Sequence, residues 1–273
     1  MYEYLRNKFY RYIRIKQRNL KYKTHRKRVN TFWMFGVPEL LSLNDLKFGD
    51  VLFCGSSINE KNTNLIQNTT DGSYVHCAIY IGDNKIVDVT TSGIRKRYIN
   101  TFINDYSYVA ITRCPGDNLS RKKAIEIFID NAFKKQVKYN WFGALFSPIK
   151  EYINITWFYS KGTREEYHGP TLAKEKYFCS EFVVDCYKAS GYIRTAKRYM
   201  ISNKWTPTGL AEENIFGFIG YISNNGLKAV DHNDPFLGGN IHLLTEKGRE
   251  GHLKHLATLK GELINSMSTS KFS

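Results

Sequence analysis

Between residues 48 and 113 the apolar positions come in short runs broken by turn residues. Phe48-Gly49-Asp50 makes a turn ahead of Val51-Leu52-Phe53-Cys54, an unbroken apolar run that suits a buried strand. A polar stretch over 55–72, long enough for a rim or lid, leads to His76-Cys77-Ala78-Ile79-Tyr80-Ile81. Gly82-Asp83-Asn84-Lys85 then turns the chain into Ile86-Val87-Asp88-Val89, which predicts a hairpin. With the turn centred near 83–84, residue 80 faces about 87 and residue 76 about 91. Asp88 is then offset from His76, a gap that a bulge or twist would close. Another strand is expected over 108–113.

The period then becomes helical. Ala124, Ile127, Phe128 and Ala132 mark one face of a helix over 120–135, with Ser120 as its cap. An aromatic stretch follows from Tyr139-Asn140-Trp141 to Tyr159, and then a loop punctuated by Gly162, Gly169 and Pro170. Tyr177-Phe178 runs into a second helical pattern, in which Phe182, Val183 and Cys186 fall at helical spacing and Gly191 supplies the stop. A short helix and a closing strand are expected over 206–222. One more helix is expected near 253–264. Strands first and helices after, with no internal repeat, predict an α+β domain. We divide the chain into a basic arm (1–39), an ordered domain (40–222) and a polar C-terminal extension (223–273).

Composition narrows this picture. The 273 residues are 42% hydrophobic and 15% aromatic, enough for a real core. No apolar run reaches the ~18 residues of a spanning helix, and charges interrupt any signal-like stretch at the N-terminus. Five cysteines without a CxxC pair suit a reduced, cytoplasmic setting better than a disulfide framework. Of the net charge of +15, about two thirds lies in residues 1–30. There Leu5, Phe9, Tyr12 and Ile13 share one side of a helical pattern, with Arg6, Lys8, Arg11, Arg14 and Arg18 spread around it. Such an arm suits an anionic membrane surface, which would make the protein peripheral. It suits nucleic-acid phosphates less well, and a solvated arm resting a few aromatics on the domain is the ordinary alternative.

Cys179 opens the second helix, where unpaired N–H groups and the macrodipole favour a thiolate. A nucleophilic thiol needs a base. Of seven histidines, His76 has the best setting, at the head of a buried strand; Asp88 is an acid inside an apolar strand, where burial calls for a partner. Taken singly, each has a structural reading: a strand-opening histidine, an exposed strand acid and a small core thiol. His25 lies in the arm, His168 in a loop, and His232, His242, His252 and His255 in the polar tail. No His/Cys/Asp cluster has metal-ligand spacing, and no cofactor is expected.

The ordered set Phe48-Gly49-Asp50-Val51, Tyr74-Val75-His76-Cys77-Ala78, Ile86-Val87-Asp88 and Tyr177-Phe178-Cys179-Ser180-Glu181 resembles the YiiX/YaeF-like family. These are circularly permuted papain-like cysteine hydrolases of the NlpC superfamily. The resemblance runs over roughly residues 43–222. Lys138-Tyr139-Asn140 resembles a Tyr-Asp element before the Cys helix, and Thr206-Pro207-Thr208-Gly209 a Pro-containing segment after it. It implies an antiparallel sheet packed on helices, with Cys179 at a helix N-terminus as nucleophile, His76 as general base and then acid, and Asp88 as orienting carboxylate. The family more often carries Glu where this chain has Asp88. Glu181 reads as a helix-terminus cap or salt bridge, Cys77 and Cys186 as core, and Cys54 as buried near the cleft.

Three functions follow. The first is an amidase or peptidase working through a thioester acyl-enzyme on a peptide or other amide. The second turns the same triad on lipid, as an acyl hydrolase or acyltransferase at an anionic membrane. The third is a non-catalytic protein that binds membrane or nucleic acid.

Overall fold

A computed structural model describes residues 38–56, 73–115, 119–161, 172–193, 202–213, 215–232, 234–237 and 240–269. The expected arm helix, nearly all of the 55–72 loop and His168 lie outside the described residues. In chain order the elements are β1 (Val51–Cys54), β2 (His76–Gly82), β3 (Lys85–Thr90), β4 (Gly93–Tyr98), α1 (Ile99–Ile103), β5 (Val109–Arg113) and α2 (Leu119–Lys134). There follow β6 (Lys138–Tyr139), α3 (Trp141–Lys161), β7 (Lys176–Tyr177), α4 (Cys179–Ala189), α5 (Pro207–Glu212), β8 (Gly217–Ile222) and α6 (Glu246–Thr269). Six strands form one antiparallel sheet in the order β4-β3-β2-β1-β5-β8, while β6 and β7 form a separate parallel pair. The architecture is α+β.

The unbroken apolar runs of β1 and β2 have a simple cause: both faces of the sheet are covered. Val51, Phe53, Cys77, Ile79, Val87 and Val89 share a core with Phe128 of α2 and Phe182 and Val183 of α4. Leu52, Cys54, Ala78, Tyr80 and Ile86 face the other way, onto Ile99 and Phe102 of α1. Each such aliphatic or aromatic side chain contributes about 1.5–3 kcal/mol on burial. The Gly49-Asp50 turn locks β1 at its start. Gly49 adopts φ +85°, where a side chain would be strained, and Asp50 holds Arg113 of β5 through two bonds of 2.7 and 2.8 Å.

Several expectations shift. The hairpin loop is tighter than four residues, because Asp83 and Asn84 both take positive φ and Gly82 pairs directly with Lys85. A bulge between Tyr80 and Gly82 sets Ile79 opposite Val87 and Tyr80 opposite Ile86. In α2 the buried stripe is Ile125, Phe128, Ile129 and Ala132, at i, i+3, i+4 and i+7; Ile127 is exposed. β4 is additional, an edge strand with the charged run Arg95-Lys96-Arg97 at its centre. α3 absorbs the aromatic stretch and carries Pro148 inside it. Beyond β8 the chain is polar in composition, yet Leu227, Val230, Phe236 and Leu237 enter the main core. The last helix, α6, starts earlier than its apolar pattern suggests and contains it. Among the described residues, no helix is long and apolar enough to cross a membrane.

Candidate active site

Pairing Ile79 with Val87 puts residue 90 opposite residue 76 on extension, so Asp88 is the diagonal neighbour of His76 on the same sheet face. That is close enough for the side chains to meet. His76 Nε2 lies 3.1 Å from Asp88 Oδ2. The register also sets Asp88 opposite Arg95 of β4, whose Nη2 donates to the same oxygen at 3.0 Å. Burial opposes the charge of Asp88, but the bonds from His76 and Arg95 prevail, and its pKa falls below the usual carboxylate value. Tyr106 stacks on the imidazole with centroids 6.2 Å apart, which limits ring rotation.

Cys179 is brought to the same place from the other side of the sequence. β6 and β7 pair in parallel, Lys138 with Lys176 and Tyr139 with Tyr177, and β7 runs through Phe178 into α4. Asn140 accepts a hydrogen bond from Gly143 N at 2.8 Å and so starts α3 beside this junction. Ser180 Oγ donates to Trp205 O at 2.6 Å, anchoring the first turn of α4. Pro207 opens α5, and Thr206 caps it, accepting from Gly209 N at 2.9 Å.

The Cys179 thiol lies close enough to Cys77 and His76 for both to act on its charge. The bond from Cys77 and the imidazole's charge hold the thiol pKa well below its usual value, against the opposing effect of burial. For His76, burial disfavours the cation, but Cys179 and Asp88 outweigh it and raise the pKa to about 9. Both shifts run in the same sense, toward the charged pair of thiolate and imidazolium. His76 Nε2 is engaged with Asp88, which leaves Nδ1 as the ring nitrogen available to the thiol.

The structure puts His76 and Asp88 in contact and sets Cys179 close beside His76. The neighbouring residues lie as expected. Cys77 belongs to the core and is also near enough to act on the charge of the thiol. Glu181 is buried and accepts from Lys174 Nζ at 3.0 Å, and the same lysine pairs with Asp185 at 2.8 Å. Cys186 is plain core, and Cys54 is buried near enough to Cys179 to feel its charge. Arg95 and Tyr106 were not anticipated. The alternating charges of Arg95 and Arg97 were the available signal, since a cation facing inward on an edge strand needs an acid beside it.

A histidine–aspartate pair on an antiparallel sheet, set against a helix that begins on a thiol and comes later in the chain, is the arrangement that the resemblance to permuted papain-like hydrolases implies. Residues 45–143 match the family model described as permuted papain-like amidase enzyme, YaeF/YiiX, C92 family. The chain is also 25% identical over 208 residues to the probable lipoprotein peptidase YaeF of Escherichia coli (strain K12), a match covering 70% of this chain and 72% of that protein. Together they support assignment to the YiiX/YaeF-like family. That family is one of amidases and peptidases, which supports a cysteine peptidase-like hydrolase acting on amide bonds. The family-model match includes His76 and Asp88 and ends before Cys179.

Proposed function

We propose that Cys179, His76 and Asp88 act as a catalytic triad that cleaves an amide bond through a thioester acyl-enzyme. The observation that carries this reading is the 3.1 Å pairing of His76 with Asp88, with Cys179 at the start of α4 near enough for the imidazole to act on its charge. The Cys179 thiolate attacks the carbonyl carbon, and the imidazolium of His76 gives its proton to the departing amine. His76, now neutral, takes a proton from water as it attacks the thioester, and the carboxylic acid leaves as the thiolate and the imidazolium are restored. Asp88 keeps the ring oriented and favours its charged form. The backbone N–H of Cys179, in the first turn of α4, is available to the developing oxyanion.

The test is alkylation of the intact protein near pH 6, followed by mapping of the modified cysteines. Cys179 should react ahead of Cys54, Cys77, Cys114 and Cys186, and His76→Ala should slow it by about 100-fold or more. Equal modification of all five thiols, untouched by His76→Ala, would sink the reading.

A further inference from the structure

Among the described side chains of α3, at residues 141–151 and 153, polarity is inside out. Its inward positions include Ser147 and Glu151, the latter fully buried and accepting from Thr206 N at 3.1 Å and Thr206 Oγ1 at 2.7 Å. Gly209 is packed so tightly on this carboxylate that a Cβ there would come within 2.1 Å of Glu151 Oε1. The outward positions are apolar: Phe142 is 78% exposed, Ile153 56%, Trp141 52%, Phe146 44% and Leu145 37%. A helix meant to face water does the reverse. A contiguous exposed apolar stripe of this kind marks a contact surface.

Charge decides what covers it. Lys138 and Lys176 are exposed register partners on β6 and β7, at the aromatic end of the stripe, and the half-buried Lys150 lies along α3. In residues 138–153 and 172–177 the acids are Glu151, which is buried, and Glu175. A second copy of the chain would bring these lysines, and +15 on each partner, against one another. Nucleic acid would match the lysines but offers little for Leu145 and Ile153. An anionic bilayer meets both demands, with acyl chains for the apolar stripe, headgroup depth for Trp141 and negative lipid for the lysines.

We propose that the outward face of α3 is a docking surface for an anionic lipid bilayer. The helix lies along the membrane and does not cross it. Its first turn adjoins the candidate site: the Trp141 ring packs edge-on against Tyr139 with centroids 5.1 Å apart, and Tyr139 is close enough to Cys179 to feel its charge. Docking therefore brings the thiol to the lipid surface. The inference stands apart from the amide-cleavage reading and does not require it.

The experiment is co-sedimentation of the full chain with phosphatidylcholine vesicles, with and without phosphatidylserine. The parent protein should sediment with phosphatidylserine-containing vesicles. Phe142→Ser combined with Phe146→Ser should lower that partitioning by about tenfold or more, with an unchanged melting temperature, since both side chains are exposed. The single variants, each expected to lose about threefold, keep the test sharp if the double variant fails to fold. No sedimentation with either vesicle overturns the proposal. So does equal sedimentation of parent and double variant, which would assign binding to another part of the chain. A concentration-dependent dimer that the double variant abolishes, with vesicle binding unchanged, would give the face to a second copy instead.

Discussion

Asp88 and Asp234 are the same residue, both almost wholly buried, and the protein uses them in opposite ways. Asp88 is met by charged donors, His76 and Arg95, and its pKa is pushed down. Asp234 is met by neutral ones. The hydroxyls of Tyr74, Tyr221 and Tyr108 donate to it at 2.5, 2.8 and 3.0 Å, and Phe236 N adds a bond of 2.9 Å. There burial wins over the four bonds, and the pKa rises to about 6. A carboxylate facing cations is a stored charge, ready to stabilise an imidazolium. A carboxylate facing hydroxyls is a fastener, and here it ties the segment after β8 to Tyr221 of β8 and to Tyr108 just before β5, whose rings pack edge-on.

The sharpest way to break this contrast is to neutralise each acid in turn. Asp88→Asn should cost about two to four orders of magnitude in kcat/KM on an amide substrate. It should also move the alkaline limb of the pH–rate profile below about 9, because one support of the His76 cation is gone. A profile that kept its limb near 9 would show that Asp88 does not set the imidazole's charge. Asp234→Ala should act on the other axis. Three buried hydroxyls lose their acceptor, and unfolding free energy should drop by on the order of 3–5 kcal/mol. The rate of Cys179 alkylation in the folded variant should stay near the parent's; a large loss there would mean the fastener also shapes the site.

The smallest effect is a matter of sign. Because the pKa of Asp234 is raised on folding, the native state binds more protons than the unfolded state between roughly pH 4 and 6. Its contribution is fully present below the unfolded pKa and is lost as pH rises through about 6, a swing on the order of 2–3 kcal/mol. Asp88, with a lowered pKa, works the other way: its contribution is present above the unfolded value and fades as pH falls. Denaturation series from pH 4 to pH 7, comparing the parent with Asp234→Asn, isolate the first term. Parallel curves for the two proteins would refute it.

What could be read in the chain was what local pattern encodes. The hairpin, the helix starting at Cys179 and the meeting of three distant residues followed from apolar runs, turn chemistry and an ordered resemblance. The parts that escaped are non-local. Arg95 lies on an edge strand whose charges hide it from any alternation of apolar and polar positions, and it takes its role from the register with Asp88. Asp234 stands in a polar segment, and two of its tyrosine partners are 126 and 160 residues away. The aromatic stretch of α3 gave no clean helical stripe, because Trp141, Phe142, Leu145, Phe146 and Ile153 are exposed while Glu151 is buried. Only the packing of α5 against that glutamate explains the inversion.

The permuted order has a consequence for how the molecule is made. His76 and Asp88 are twelve residues apart and pair across one hairpin, so base and acid can assemble while most of the chain is still unsynthesised. Cys179 emerges much later and meets its base only once β6 and β7 have zipped together. Until then the growing polypeptide holds His76 and Asp88 without the thiol of Cys179. The hairpin is complete well before its sulfur partner arrives, and β8 with the core residues beyond it closes the fold later still.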